Sequence, residues 1–188
     1  MKYRKRAFPL AKVYTLLEPG PVVLLSTLPK RGKRDPLAGR PNVMPMSWHL
    51  MMEFETPLVG CVISNRNFSF KAVKSARECV INIPTQELAE KVVGCGNCSG
   101  AEVDKFEQFG LTPVASKTVA PPQIAECWAS LECRVIDTRL TGDYCLFILE
   151  VLAARVDTSV KAPKTIHHRG YGKFMVAGTE RKLSSRMK

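Results

Sequence analysis

Between Ala125 and Val135 the chain alternates without a break: Ala125, Cys127, Ala129, Leu131, Cys133 and Val135 against Glu126, Trp128, Ser130, Glu132 and Arg134. A period of two held that long predicts a half-buried antiparallel strand and excludes a helix. Thr141-Gly142-Asp143 supplies a turn, and Tyr144 to Val156 reads as a longer, more buried strand. The pair predicts a hairpin. Other extended stretches come earlier: Val22 to Thr27, a Met-rich run from Asn42 to Leu50, the apolar run Leu58 to Ser64, and Cys79 to Ile83. A weak strand lies around Phe174 to Val176 in an otherwise polar tail.

Three short helices are predicted among these strands. The first begins near Asn65 or Asn67 and carries Phe70, Val73 and Arg77. The second opens at Pro84-Thr85, places Leu88 and Val92 one turn apart, pairs Glu87 with Lys91, and stops at Gly94. The third has Ser99 as N-cap, Glu102 completing a capping box, Phe106 and Phe109 on one face, and Gly110 to end it. Strand and helix do not alternate regularly, so a doubly wound parallel sheet is disfavoured. Thirteen prolines and twelve glycines disfavour a long-helix bundle. No Gly-rich strand-to-helix turn of the dinucleotide or P-loop kind is present. The expectation is a mainly β fold, an antiparallel barrel with inserted short helices, in a single domain spanning 1–188.

The formal charge is +11, and much of it sits at the ends. Lys2, Arg4, Lys5 and Arg6 lie in a basic N-terminal tail, 1–8. Arg181, Lys182, Arg186 and Lys188 lie in a basic C-terminal tail, 178–188. Removing these eight charges leaves +3. A further cluster, Lys30, Arg31, Lys33 and Arg34, surrounds Gly32 and reads as a solvated turn. A nucleic-acid platform interleaves Lys and Arg with aromatics along one face. That pattern is missing, so nucleic acid is not an expected partner, although a basic field attracts anionic ligands. The longest apolar run, Tyr144 to Ala154, is interrupted by Glu150 and is too short to span a bilayer. Pro9 and Lys12 break what would be a signal core. Seven cysteines, an odd number spread through apolar segments, predict free thiols in a reducing compartment, so the expected location is cytoplasmic.

Three constellations could carry chemistry. Ser64-Asn65-Arg66-Asn67-Phe68-Ser69 lies where a buried strand passes into a helix. A guanidinium, hydroxyls and free helix N–H groups are what a phosphate requires, and a solvated Arg beside an ordinary N-cap is the plainer meaning of the same string. Asn42-Val43-Met44-Pro45-Met46-Ser47-Trp48-His49 contains a proline that removes a ladder donor, which predicts an edge or bulged strand. Such an edge can hydrogen-bond a planar heterocycle between Met and Trp walls, or those residues simply pack. Cys95-Gly96-Asn97-Cys98 is half a zinc site, a redox dithiol or a coincidence; His167 and His168, being adjacent, cannot easily both reach one metal. No hydrolase grammar surrounds His49 or any serine.

Taken in order, Asn42-x-x-x-x-Ser47-Trp48, Ser64-x-Arg66-x-x-Ser69, Asn82-x-Pro84, Cys95-Gly96-x-x-Ser99-Gly100 and Asp104-Lys105-Phe106 resemble the flavin reductase-like family, and most closely its flavoredoxin type. Ala120-Pro121-x-x-Ile124-x-Glu126-Cys127 is similar to that subgroup too. The resemblance spans roughly residues 15 to 160. It implies an FMN-binding split barrel, a Greek-key barrel working as a homodimer with FMN at or near the interface. It implies that Met46, Ser47 and Trp48 face the isoalloxazine ring and that Asn42, on the same segment, also binds the cofactor. Ser64, Arg66 and Ser69 would hold the FMN phosphate, Asn82 and Lys105 would lie near the ribityl chain or phosphate, and Tyr171 near the flavin or its partner. The chain departs from the pattern at Ser69, where relatives often carry Thr, and at Cys98. The implied activity is that of a flavin-dependent oxidoreductase. Electrons pass from NAD(P)H or a reduced protein through FMN to a small-molecule or protein acceptor, with no catalytic side chain and no metal required. The alternatives are a non-catalytic flavin- or haem-binding module on the same barrel, and a thiol-redox or zinc protein using Cys95 and Cys98.

Overall fold

The structure, a computed structural model, describes residues 5–13, 21–30, 39–169 and 172–184. The predicted hairpin is its centre. Strand β9 (Ala129–Asp137) and strand β10 (Leu146–Asp157) pair antiparallel, joined by a 3-10 turn at Arg139–Thr141. β10 is long enough to serve two more neighbours. Its first half pairs with β5 (Pro57–Val62) and its last four residues with β1 (Lys5–Phe8). On the other side β9 pairs with β6 (Glu78–Ile83), which pairs with β2 (Val23–Thr27), which pairs with β3 (Asn42–Met46). β4 (His49–Phe54) pairs with β5. The resulting order is β3-β2-β6-β9-β10-β5-β4, all antiparallel, with β1 attached to β10. β3 and β4, adjacent in sequence, thus end at opposite edges of one sheet.

The sheet encloses a core in which Val23, Leu25, Ile81, Leu131, Phe147 and Leu149 are fully buried. Helix α1 (Phe68–Ala76) closes it, and Phe70 meets Phe147 edge-on with ring centroids 5.3 Å apart. β2 is buried at every position because its opposite face builds a second core. There Leu24 and Val43 pack against Val92 and Cys95 of helix α2 (Ala89–Gly96) and Phe106 of the short helix α3 (Lys105–Gln108). Two small sheets complete the fold: β7 (Pro113–Val114) with β8 (Gln123–Ile124), and β11 (Ile166–His168) with β12 (Phe174–Val176). None of the helices among the described residues is long and apolar enough to cross a membrane.

Four expectations change. The N-terminal segment 1–8 is not a solvated tail throughout. Lys5 to Phe8 form β1, and the Lys5 Nζ donates to the Ile124 carbonyl at 2.6 Å and to Ser130 Oγ at 2.7 Å. The alternating strand, the first of the hairpin, begins at Ala129, not Ala125, because residues 125–128 turn the chain between β8 and β9. That strand is not half-buried either. On its polar face, Glu132 is covered by the 116–124 segment, and Ser130 is buried between Lys5 and Asn82. Ser99 does not cap the third helix. Its hydroxyl accepts from Ala101 N, and Asp104 caps α3 by accepting from Phe106 N and Glu107 N. Gly110, at φ +55°, does end that helix, as a residue without Cβ can. The clusters at 31–34, 1–4 and 185–188 lie outside the described residues.

Candidate functional site

The Pro45 signal places β3 correctly: it is a sheet-terminal strand, and Pro45 faces Leu24 in the ladder. Two adjoining cavities of about 320 Å³ each open against it, sharing Pro45, Gly96 and Asn97 in their walls. The first runs over Asn42 and Met44 to the start of α1 and is closed by the turn after α2. It brings together Asn42, Arg66, Ser69 and Lys105. The second brings together Met46 and Ser47 with Val92, His168 and Phe174, and is the more apolar of the two.

At the α1 end the local chemistry suits an anion. Asn67, in an extended conformation, makes no side-chain cap, so the first-turn N–H groups of this nine-residue helix are not satisfied from that side chain. Among the described residues the Arg66 guanidinium, exposed beside the cavity, has no hydrogen-bonding or ion-pair partner. Ser69 Oγ is buried at the first turn, where it accepts from Asn42 Nδ2 at 2.9 Å and keeps its own proton to donate. The other end of the Asn42 amide, Oδ1, is buried with no partner. It lies against the backbone of Gly100, where a Cβ would stand 2.0 Å from it. Arg40 holds that turn by donating to the Gly100 carbonyl at 2.8 Å. Lys105 is 4% exposed, and its Nζ donates to the Cys95 carbonyl at 2.6 Å. Burial pushes its ammonium below the ordinary lysine range, while the Cys98 and Cys95 thiols pull the other way. An orphaned acceptor, an unpaired guanidinium, uncapped N–H groups and a nearby buried ammonium fit a phosphorylated, hydroxyl-bearing ligand whose flat end reaches the apolar second cavity. FMN has that constitution.

The remaining predicted residues contribute less to the cavities or lie away from them. Met46 lines the second cavity but is itself 4% exposed and packs in the main core. Trp48 is 71% exposed and lines neither cavity. Ser64 is exposed and accepts from Arg66 N at 3.3 Å, outside the lining. Asn82 is fully buried on β6. Its Nδ2 donates to the Leu24 carbonyl, and its Oδ1 accepts from Ile124 N and Ser130 Oγ, so it pins strands together and does not face the cavities. Tyr171 lies outside the described residues. Phe68 and Asn97 stand inside the 64–69 and 95–98 strings but carry no role of their own in the sequence reading, and His168 is weighed there only as a metal ligand; all three line the cavities. His49 follows the β3 edge. Its Nε2 donates to the Pro21 carbonyl at 2.7 Å and its buried Nδ1 has no partner. Burial lowers its pKa, against the opposing effect of that hydrogen bond. Among the described residues no group of three or more His, Cys, Asp or Glu is placed to hold a metal ion, so the zinc alternative has no third ligand there.

The antiparallel sheet running from β3 to β4, with short helices packed on it, is the fold of the FMN-binding split barrels, and the chain belongs to the flavin reductase-like family. Residues 16–175 match the flavin reductase like domain. A protein of Archaeoglobus fulgidus is 36% identical over 149 residues, covering 76% of this chain and 84% of that protein. Escherichia coli YddH is 27% identical, covering 87% and 89%. The FMN-binding domain of a flavin reductase-like enzyme from Shewanella baltica superposes with a TM-score of 0.87 at 27% identity, covering 98% of this chain and all of that one. Flavoredoxin of Desulfovibrio vulgaris shares the fold, with a TM-score of 0.76 at 22% identity, covering 89% and 90%.

Proposed function

We propose that this chain, as one flavin reductase-like domain with basic ends, is a homodimeric cytoplasmic flavoprotein. It takes electrons from NAD(P)H or a reduced protein and passes them through FMN to a small-molecule or protein acceptor. The observation that carries this reading is the pair of adjoining cavities, with an anion cradle at one end and the open β3 edge at the other, in a chain of this family. Bound FMN would supply the hydride-accepting chemistry that no side chain here can perform. Arg66 and the first turn of α1 bind the phosphate, with the Ser69 hydroxyl as donor. Asn42 Oδ1 accepts from a ribityl hydroxyl and so gains the partner it lacks. The β3 edge and Ser47 orient the ring, and the apolar wall of the second cavity excludes water from one side. Lys105, close by and cationic, favours negative charge in the site. The seven free cysteines support a reducing compartment.

The test is the visible absorption spectrum of the purified protein, before and after soaking with FMN and desalting. The expected result is a retained two-band flavin spectrum that NAD(P)H or a reduced ferredoxin-type protein bleaches anaerobically. A flavin spectrum that no donor bleaches would replace the electron-transfer reading with a binding module. A protein that neither holds FMN nor reduces it as a passing substrate would overturn the flavin reading.

A further inference from the structure

The first cavity contains chemistry that the flavin reading does not use. Cys95, in the last turn of α2, and Cys98, two residues past its end, both line it. The helical path continues past Cys95, since Asn97 N donates back to the Val93 and Gly94 carbonyls at 3.1 Å. Cys98 Sγ meets the Gly94 carbonyl, one turn behind it, at 3.5 Å. Three residues along a helical turn put Cβ atoms about 5–6 Å apart. A disulfide needs about 3.5–4.5 Å, a small adjustment at a fraying helix end that contains Gly96. Access is graded in the useful order: Cys95 is buried and Cys98 half-buried at the cavity wall. The other cysteines lack that combination. Cys79 and Cys133 face each other across β6 and β9 but are sealed in the core, Cys61 and Cys127 are also buried, and Cys145 lines neither cavity.

We propose that Cys95 and Cys98 are a reversible dithiol–disulfide couple in the wall of the cavity, oxidised by a low-molecular-weight disulfide. The Cys98 thiolate attacks one sulfur of the small disulfide, forming a mixed disulfide and releasing one thiol. The Cys95 thiolate then attacks the Cys98 sulfur, forming the internal bond and releasing the second thiol. Two protein thiols are oxidised, one disulfide is reduced, and the two thiol protons end on the two released small thiols. Burial pushes the Cys95 thiol up to about 11, with Lys105 opposing, so Cys95 stays protonated and leaves the first attack to Cys98; it must lose its proton for the resolving step. The bond would pin the turn 95–98, whose Gly96 and Asn97 are shared by both cavities.

The test uses the full chain in oxidised glutathione, followed by thiol titration under denaturing conditions and peptide mapping. The expected result is a fall from seven free thiols to five, a loss of about 2 Da, and one linked pair, Cys95–Cys98, restored by dithiothreitol. Cys98→Ser should keep its six remaining thiols under the same treatment. Seven thiols surviving in the wild type, a persistent glutathione adduct on Cys98, or a bond joining any other pair would overturn the proposal. The wild-type map decides it even if the variant folds poorly. No flavin is needed, so the couple stands or falls separately from the FMN reading.

Discussion

At the residue scale the site rests on groups left incomplete by the fold itself. Asn42 spends its amide N–H on Ser69 and buries its oxygen unsatisfied. Such an arrangement costs about 1–3 kcal/mol unless a ligand supplies a donor. Arg66 is the mirror case, a donor with no acceptor among the described residues. Arg66→Ala should weaken FMN binding by about 1.5–3 kcal/mol, roughly 10- to 150-fold in Kd, because a hydrogen bond to a charged group is worth that much. Fluorescence titration of FMN reads this directly, and an unchanged Kd removes Arg66 from the site. Lys5 is a second buried cation, bonded to the Ile124 carbonyl and Ser130 Oγ. Burial holds its pKa down at about 8, from 10.5, with Cys127, Glu126 and Asp157 opposing. The unfolded chain therefore binds that proton more tightly between pH 8 and 10.5, and folding stability rises with pH across that window. Against Lys5→Met, which cannot titrate, the wild type should gain about 3 kcal/mol in relative stability from pH 7 to pH 10.5. Paired urea melts at the two pH values measure it, and a constant difference would contradict a buried Lys5.

At the scale of elements, β9 shows what periodicity can and cannot say. The alternation correctly orients Ala129, Leu131, Cys133 and Val135 into the core. It also presents Ser130 and Glu132 as solvent-facing, and they are not. The 116–124 segment folds over that face, and Glu132 accepts from Lys117 N, Thr118 N, Thr118 Oγ1 and Gln123 Nε2. Burial would raise the Glu132 pKa, but those hydrogen bonds outweigh it and hold the carboxyl below its usual range. The stability it contributes is present above the unfolded carboxyl pKa and is lost as pH falls through the lowered folded one. Glu132→Gln should destabilise the protein by about 2 kcal/mol at pH 7. The difference should shrink as the medium is acidified below the ordinary glutamate pKa, and thermal unfolding at pH 7 and pH 3.5 checks both parts. The helices show the same division. Gly110 ends α3 as its sequence signal requires. The helix begins at Asp104, not Ser99, because Asp104 satisfies two first-turn N–H groups while the Ser99–Gly100 turn lies against Asn42.

At the scale of the whole molecule, β4 is the unfinished edge. Leu50, Met52 and Phe54, with Trp48 just before the strand, are about half exposed or more, and Leu50 and Met52 lie over Gly60 on the outer face. An edge strand with an apolar face is a surface for another chain. In the proposed homodimer, Leu50→Glu combined with Phe54→Lys should convert the dimer to monomer in sedimentation velocity without loss of the β-sheet circular dichroism signal. A dimer that survives both charges would place the interface elsewhere. What the sequence by itself determined was local and repetitive. Strand periodicity, the Pro45 edge, the Arg66-to-Ser69 hand-over into a helix and the cysteine spacing are all legible because neighbours in sequence obey backbone geometry directly. Only the tertiary structure decided which of these residues meet. β3 and β4 part to opposite edges, α2 folds back so that Cys95, Cys98 and Lys105 join Asn42 and Arg66 around one cavity, and Asn82 turns into the interior. Those outcomes depend on strand order and on which buried polar groups find partners. Both are set by contacts between residues tens of positions apart, which no local pattern encodes.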